Sequence, residues 1–282
     1  MENDLTRREF VGRLAALSAA ATVGLKAGET ADLPIGIQLY SVRTVLGKDF
    51  KEGLKKVAEI GYRHFEFAGY GGLNAAELTE VLKPLGVTVC GTHEGYDGLV
   101  KNTDAVLEFN QAIGNRFVVV PMMPGMGRSG GVEEVKKFAQ SLSEIGEKAR
   151  QRGLQLCYHN HSFEFAKIDG ERTLWDVLFS TADPELVKAE LDVAWAFNAG
   201  VDPVELMDRW ADRIILLHMK DLDEQKRLAP VGEGVIPMDK VIKKAHEIGV
   251  KWFIVEQDQP RADKDILDEI AVSYRNLVKL LS

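Results

Sequence analysis

Apolar runs that are typical of buried strands alternate with helical stretches from residue 34 to the end of this 282-residue chain. Each run is nearly continuous in apolar residues, as expected when a parallel sheet is covered on both faces. We predict eight strands, at 34–40, 63–68, 87–92, 116–121, 154–160, 187–192, 214–219 and 251–256. Apolar residues at helical spacing predict helices at 50–60, 74–85, 102–113, 132–152, 173–180, 202–212, 238–248 and 263–281.

This alternation predicts one closed parallel barrel, although the length of the chain would also accommodate two smaller domains. Eight strand and helix pairs in about 250 residues are typical of the (β/α)8 or TIM barrel. Several predicted helices end in a glycine just before the next strand, which fits the left-handed residue that terminates many helices; these are Gly61, Gly86, Gly114, Gly153 and Gly249. We therefore assign the α/β class, with a single TIM barrel at residues 31–282.

Residues 1–30 differ from the rest of the chain and predict an export signal. Arg7 and Arg8 stand ahead of a moderately apolar, alanine-rich segment at 14–24, a pattern that resembles a twin-arginine signal. The segment is too short and too weakly apolar to span a bilayer, so no stable membrane insertion is expected after signal removal. An ordinary amphipathic first helix is the alternative. The signal predicts that the folded chain is exported to the periplasm.

The charge and the apolar pattern of the chain limit its partners. A net charge of −8 and a pI near 5.4 argue against nucleic acid, which needs a concentrated basic face. A small-molecule substrate is therefore expected. The last helix carries aliphatic residues that favour packing on the barrel, with association into a homo-oligomer as the alternative; they are Ile266, Ile270, Leu277 and Leu280.

Polar residues fall at or just past the ends of the predicted strands. In a parallel barrel the carboxyl ends of all strands meet at one face, and the active site lies there. The pattern is densest at 156–165 (LCYHNHSFEF), where an apolar run stops in two histidines and an amide. The residues placed at this face are Tyr40, Glu66, His93, His159, His161, Glu164, Asp192, His218, Lys220 and Glu256.

Carboxylates and histidines that converge without a cysteine predict a site for a divalent metal ion such as Mn²⁺, Co²⁺, Mg²⁺ or Zn²⁺. Such an ion, held by a carbonyl and an adjacent hydroxyl of a sugar, would stabilise the enediolate formed when a base removes the intervening proton. Glu256 is a candidate base. Taken singly, each residue has another interpretation, because Asp192 could cap a helix, and Lys220 with Asp221 could be a solvated loop pair.

Six short motifs resemble the sugar phosphate isomerase/epimerase family with its xylose isomerase-like barrel. The resemblance covers about residues 34–280 and is specific for the superfamily, although weak for the substrate. The motifs lie at 37–43 (IQLYSVR), 159–165 (HNHSFEF), 191–195 (LDVAW), 217–221 (LHMKD), 232–234 (GEG) and 255–258 (VEQD).

The resemblance implies metal ligands after the fifth, sixth, seventh and eighth strands. Asp192, His218 and Glu256 match the last three of these positions. At the fifth strand this chain departs from the family, because His159 stands where the family has a glutamate and the nearest glutamate, Glu164, follows later. Either Glu164 is the ligand or His159 replaces it. We predict Glu164 as ligand, with His159 and His161 acting on the substrate or on protons.

The predicted function is that of a metal-dependent sugar isomerase or epimerase that works through an enediolate. Glu256, His159 and Glu164 are the predicted catalytic residues. The first alternative is a lyase or dehydratase acting on a keto-sugar or keto-glycoside. Export of the protein favours this alternative, because an exported enzyme is expected to act on an unphosphorylated substrate. The others are a non-catalytic sugar-binding barrel and a phosphodiesterase related to endonuclease IV. The predicted substrate-binding residues are Tyr40, Glu66, His93, His161 and Lys220.

Overall fold

Eight parallel strands close into a barrel in the computed structural model of the protein, which describes residues 33–127 and 131–282. Around the barrel the strands follow the order β1-β10-β7-β6-β5-β4-β3-β2, so each strand pairs with its neighbours in the chain. The predicted TIM barrel is confirmed. Its strands are β1 (Ile35–Gln38), β2 (His64–Phe67), β3 (Thr88–His93), β4 (Phe117–Val120), β5 (Gln155–His159), β6 (Val187–Asp192), β7 (Ile214–Met219) and β10 (Trp252–Val255).

Helices cover the outside of the barrel, and six of the described ones begin at a side chain that accepts a hydrogen bond from a free backbone N–H group. Asn74 and Thr173 each form a capping box with the acidic residue three positions later. The helices are α1 (Arg43–Leu46), α2 (Phe50–Ile60), α3 (Ala75–Leu82), α4 (Tyr96–Lys101), α5 (Thr103–Ala112), α6 (Val132–Gln151), α7 (Leu174–Thr181), α8 (Val193–Asn198), α9 (Pro203–Arg209), α10 (Met238–Ile248) and α11 (Ile266–Leu281).

The predicted strands and long helices agree with the structure to within a few residues, and the five predicted glycines end their segments with positive φ. Three short helices, α1, α4 and α8, were not predicted, because they are too short to show a helical period. The same holds for a two-stranded antiparallel ribbon of β8 (Asp221–Leu222) and β9 (Leu228–Ala229). The predicted export signal at residues 1–30 lies outside the described residues.

Two strand pairs carry a register irregularity close to the carboxyl ends of the strands. Between β2 and β3 the register shifts between Phe65 and Glu66. Between β6 and β7 it shifts between Ala189 and Glu190. Such bulges bend a strand locally and change the direction of the side chain that follows. In both pairs, the residue after the shift is a glutamate.

An apolar layer fills the barrel beneath its carboxyl end. Val119, Cys157 and Leu216 are fully buried and pack together. Because side chains alternate along a strand, the next inward positions above Cys157 and Leu216 are those of His159 and His218. The apolar layer therefore supports a polar one directly above it.

At the opposite end of the barrel lies Arg213, which precedes β7 and is only 5% exposed. Its guanidinium donates to the carbonyl oxygens of Phe179, Ala182, Asp183 and Val187 at distances between 2.5 and 3.0 Å. These bonds join the end of α7 to the start of β6. Within residues 33–127 and 131–282, no helix combines the length and apolar character needed to cross a bilayer.

Candidate active site and metal centre

Acidic and imidazole side chains from most of the barrel strands converge above the apolar layer. Their burial is nearly complete, since the histidine that is most accessible, His93, has a side chain only 9% exposed. Buried charges need partners, so the contacts among them define the site. The residues of this cluster are Gln38, Glu66, His93, His159, Glu190, Asp192, His218, Lys220 and Glu256.

One group within the cluster has the composition of a divalent metal site. His159, Asp192, His218 and Glu256 are all buried, and each offers a ligand atom within 4.8 Å of the others. The Oδ2 atom of Asp192 is buried and has no hydrogen bond beyond its ion pair with Lys220, while its Oδ1 accepts from the N–H of Trp195 at 2.8 Å. Two carboxylates and two imidazoles suit Mn²⁺, Co²⁺ or Zn²⁺. The side chains therefore fit a divalent ion.

Lys220 brings a fixed positive charge to the same group. Its Nζ lies 3.1 Å from Asp192 Oδ2, 2.8 Å from Glu256 Oε2 and 3.0 Å from Asp258 Oδ2. Burial alone would lower the pKa of Lys220, but these three carboxylates outweigh it and raise the pKa above its ordinary value. The ammonium also lies 4.9 Å from the centre of the Trp195 ring. Lys220 is thus a charged group aimed at the ligand carboxylates.

A second group lies on the other side of His218. His93, His159, Glu190 and His218 also offer ligand atoms within 4.8 Å of one another. The Oε2 atom of Glu190 is 2.8 Å from His93 Nε2, 3.1 Å from His218 Nε2 and 3.3 Å from His159 Nδ1. Burial and the adjacent charge of Glu66 raise the pKa of Glu190 to about 7. The two groups share His159 and His218.

Glu66 completes this second side of the cluster. Its Oε2 is 2.7 Å from His218 Nε2 and 3.4 Å from His93 Nε2, and it accepts a hydrogen bond of 2.8 Å from Gln38 Nε2. Burial would raise the pKa of Glu66, but His93 and His218 outweigh it and hold the pKa below its ordinary value. The side chain is fully buried.

Glu164 lies outside both groups of candidate ligands. The hydroxyl of Tyr158 donates to its Oε1 at 2.8 Å, and the N–H of His161 donates to its Oε2 at 2.8 Å. Burial raises the pKa of Glu164 to about 7. Of the two ligands that the sequence left open after the fifth strand, the geometry therefore favours His159. The interpretation of Glu164 as ligand or catalytic group stays a prediction that the structure does not support.

His161 lines the mouth of the site. Its ring stacks on Phe163 and Trp195, with centroid distances of 6.0 and 6.1 Å. Burial, together with the nearby charge of Lys220, lowers the pKa of His161 to about 4. Its Nδ1 is buried without a hydrogen bond. His161 is therefore a neutral imidazole at physiological pH with an unused ring nitrogen.

Tyr40 lies at the rim and borders a groove of about 460 Å³. Tyr40 is 45% exposed, and the guanidinium of Arg43 lies 4.1 Å from its ring centre. Arg43 also donates to the carbonyl oxygen of Asp258 at 2.6 Å, which links the groove to the residue that holds Lys220. Tyr40 is thus beside the buried cluster and not within it.

A match to a known family model covers residues 54–276 of the chain. The chain belongs to the xylose isomerase-like TIM barrel family. The inosose dehydratase of Lacticaseibacillus casei is 29% identical over 149 residues, which are 46% of this chain and 49% of the relative, so the match spans about half of that protein.

Two solved structures share the barrel fold of this chain. A sugar phosphate isomerase/epimerase from Parabacteroides distasonis superimposes with a TM-score of 0.76 at 24% identity, covering 92% of this chain and 96% of its own. A structure of the IOLI protein with a bound zinc atom gives a TM-score of 0.69 at 15% identity, covering 89% and 98%. At these identities the likeness shows the common fold.

Sequence reasoning missed three residues in or beside this candidate site, namely Gln38, Asn160 and Glu190. Gln38 stood within the motif at 37–43 without a role of its own. Glu190 was overlooked, although Lys188, Glu190 and Asp192 alternate along β6 and so share its inward side, a signal that was available. Asn160 was noted only as an amide. Its Oδ1 accepts from the N–H of Asp192 at 3.0 Å and its Nδ2 donates to the carbonyl of Asp192 at 3.3 Å, which fixes the end of β6.

Asp221 has a structural part in this barrel, in a position where the sequence suggested either substrate binding or a solvated loop. Its carboxylate accepts hydrogen bonds from the N–H groups of Leu222, Gly232, Gly234 and Ile236. A Cβ at Gly234 would overlap this carboxylate, which accounts for the glycine of the GEG motif. The segment 230–236 is thereby anchored next to the end of β7, the strand that carries His218 and precedes Lys220.

Proposed function

We propose that the protein is a metal-dependent dehydratase that removes water from a polyhydroxylated cyclic ketone. Support comes from a buried group of two carboxylates and two histidines beside an ammonium, and from the similarity to an inosose dehydratase, whose named substrate is such a ketone. This is the lyase alternative of the sequence interpretation, now placed ahead of the isomerase.

His159, Asp192, His218 and Glu256 would hold the ion. The zinc reported for a protein of the same fold makes Zn²⁺ one candidate among Mn²⁺, Co²⁺, Mg²⁺ and Zn²⁺. When bound, the ion supplies a Lewis acid that draws negative charge toward the carbonyl oxygen of the substrate. The chain itself supplies the groups that move protons.

The observation that favours elimination is that both carboxylate oxygens of Glu164 already accept hydrogen bonds. Proton exchange on both faces of a sugar by two glutamates requires a free glutamate after the fifth strand. Here both oxygens of Glu164 accept hydrogen bonds from Tyr158 and from the N–H of His161, and His159 takes the place near the ligands. A mechanism with one base and one acid needs no second glutamate.

His161 is suited to act as the base and Lys220 as the acid. Neutral His161 takes the proton from the carbon next to the carbonyl. The electron pair that is released forms a carbon–carbon double bond and expels the hydroxyl group from the following carbon. Lys220 donates a proton to this hydroxyl, so that water leaves and the unsaturated ketone remains. Trp195 contacts both groups, which places them on one side of the pocket.

Lys220 becomes a better proton donor when its carboxylate partners are engaged elsewhere. Asp192 and Glu256 are two of its three partners, and both belong to the ligand group. When these carboxylates hold a cation, they stabilise the ammonium less, and its pKa falls.

A sugar isomerase is the second candidate function. The name of the Parabacteroides distasonis protein with the same fold favours it, since isomerisation begins with the same proton removal and ends with return of the proton to a neighbouring carbon. Formation of water from the substrate separates the two reactions. A barrel that only binds sugar would have no reason to retain the buried ligand group.

The groove beside Tyr40 would receive the remainder of a substrate larger than one ring. Its volume of about 460 Å³ and the exposed Tyr40 face suit the apolar face of a second sugar ring, as in a keto-glycoside.

We also infer export to the periplasm from Arg7 and Arg8. Fractionation of cells that express the chain with both arginines changed to lysine should find it retained in the cytoplasm.

The test compares the native chain with three variants on inosose and on 3-keto-glycosides. Glu256→Gln should lose metal and at least 100-fold of the rate of water elimination, as expected when a ligand is removed. His161→Gln should keep its metal but lose solvent-deuterium exchange at the carbon next to the carbonyl. His246→Gln, in α10 against Phe253, serves as the matched control and should change neither.

Three results would contradict the proposal. Metal-free native protein that binds these ketones would indicate the sugar-binding barrel. Exchange of deuterium with formation of an isomer and no water loss would indicate the isomerase. A native rate of water elimination in Glu256→Gln would show that Glu256 does not belong to the site.

A further inference from the structure

The two nitrogens of His218 face different parts of the cluster. Its Nδ1 lies 3.0 Å from Glu256 Oε2, on the side of Asp192 and Lys220. Its Nε2 lies 2.7 Å from Glu66 Oε2 and 3.1 Å from Glu190 Oε2. A neutral imidazole has one lone pair and one N–H, so only one of these sides can receive a cation from His218.

Glu66 is held firmly where it meets His218. Gln38 Nε2 donates to Glu66 Oε2 at 2.8 Å, and the Oε1 of Gln38 accepts from the N–H of Tyr40 at 2.9 Å, which fixes the orientation of the amide. On its other side the Glu66 carboxylate packs against Gly91, where a Cβ would overlap Glu66 Oε1. The carboxylate is therefore confined between β1, β3 and His218.

We propose that Glu66, fixed by Gln38, is a positioning residue that keeps the proton of His218 on Nε2 and so leaves Nδ1 free to bind the divalent ion. The inference rests on the proposed metal-dependent function. A carboxylate that accepts the second N–H of a ligating histidine orients the ring and increases its basicity as a ligand. Glu66 thus acts on the ion through His218 and does not touch the substrate.

Glu190 and His93 support the same arrangement. Glu190 Oε2 contacts both His93 Nε2 and His218 Nε2, and the rings of His93 and His218 stack 5.3 Å apart with planes 8° from parallel. Glu66 and Glu190 each follow a register shift in their strand pair. The two irregularities therefore direct both glutamates toward the same nitrogen of His218.

The alternative is a second ion among His93, His159, Glu190 and His218. This group shares two of its four members with the first, and neutral imidazoles cannot ligate in both directions at once. The proposal therefore predicts one ion per chain. A second ion would need His218 to bind metal through the nitrogen that Glu66 faces.

The experiment measures metal content and metal affinity of the full chain, without substrate. Chelator competition with Zn²⁺ and Co²⁺ gives the dissociation constant, and the visible spectrum of the Co²⁺ form reports ligand geometry. For Glu66→Gln we expect the affinity to fall by about 10 to 100-fold with the Co²⁺ spectrum altered, while one ion still binds at saturation. Gln38→Met should weaken binding in the same direction and less, because it frees Glu66 without removing it.

Glu94→Gln is the matched control, since Glu94 is a partly buried glutamate at the same end of the barrel that bonds Tyr70 and Asn110 and no histidine. Its affinity should equal that of the native chain. Native affinity and spectrum in Glu66→Gln would overturn the positioning role, as would two ions in the native chain with one lost in His93→Gln. A native chain that binds no metal would instead overturn the proposed function itself.

Discussion

Burial gives neighbouring side chains of the site opposite protonation states. His161 has a pKa of about 4 and is neutral at pH 7, whereas burial raises the pKa of Glu164, three residues later, to about 7. The contrast arises because desolvation disfavours the charged form of each group, which is the protonated form of histidine and the ionised form of glutamate. A base and a partly protonated carboxyl therefore coexist within one loop.

The raised pKa of Glu164 predicts a pH dependence of stability. A folded pKa of about 7, above the value near 4.5 of an unfolded chain, means that the folded state holds the proton more tightly. Below the pKa of the unfolded state, Glu164 does not change the free energy of unfolding. As pH rises from there through the pKa of the folded state, burial of Glu164 lowers this free energy. Relative to Glu164→Gln, the native chain should lose up to about 3 kcal/mol of unfolding free energy between pH 5 and pH 8.

Urea denaturation at each pH, with metal held constant, measures this difference. Glu171→Gln is the control, because Glu171 is exposed and should show no such dependence. Parallel curves for the native chain and Glu164→Gln would show that Glu164 is ionised throughout.

At the scale of residues, sequence predicted part of the site well. Asp192, His218 and Glu256 end apolar strands, and all strands of a parallel barrel end at one face, so their convergence followed from the fold. Glu164 could not be placed, because nearness in sequence to His159 does not show that Tyr158 and a backbone N–H occupy its oxygens. The pairing of Glu66 with His218 spans 152 residues and has no local signal.

At the scale of elements, the fit between β2 and β3 depends on a missing side chain. Gly91 in β3 leaves space for the Glu66 carboxylate of β2, just after the register shift between these strands. Any side chain there would push Glu66 away from His218. The geometry of a strand pair thus controls a contact of the metal centre.

We therefore expect Gly91→Ala to weaken metal binding by about 10-fold or more, as loss of the carboxylate contact to a ligating histidine does. Gly98→Ala, in α4 of the same region, has open space at its Cβ and should bind metal normally. Chelator competition with Zn²⁺ measures both. Unchanged affinity in Gly91→Ala would show that Glu66 can move and still hold His218.

The strands and longer helices were predictable because their apolar period repeats over many residues. The register shifts at Glu66 and Glu190 were not, since a bulge depends on two strands that lie far apart in the chain. The helix α8 was not predicted either. It begins where the Asp192 side chain accepts from the N–H of Trp195, so the helix cap considered as an alternative to a ligand is present as well.

At the scale of the whole molecule, the barrel separates stability from chemistry. The candidate site occupies the carboxyl end of the strands, and Arg213 joins α7, β6 and β7 at the other end. Four carbonyl oxygens accept hydrogen bonds from this one guanidinium.

Arg213→Met should accordingly lower the free energy of unfolding by about 3 kcal/mol or more, because buried carbonyls lose charged donors. Metal affinity should stay the same in the protein that remains folded. Arg209→Met is the control, since Arg209 is exposed and has an ion pair of 3.6 Å with Asp176, which is worth little. Urea denaturation compares the two. An Arg213→Met chain as stable as Arg209→Met would show that water replaces the guanidinium.

The anchoring of residues 230–236 makes the mouth of the barrel unequal around its circumference. Asp221 ties this segment through backbone bonds, and Ser273 and Asn276 of α11 bond Val231 from behind. That quadrant behaves as a fixed wall. The groove bordered by Tyr40 is lined by residues that follow β1 and β2, so these two loops set the size of the group that the groove can hold.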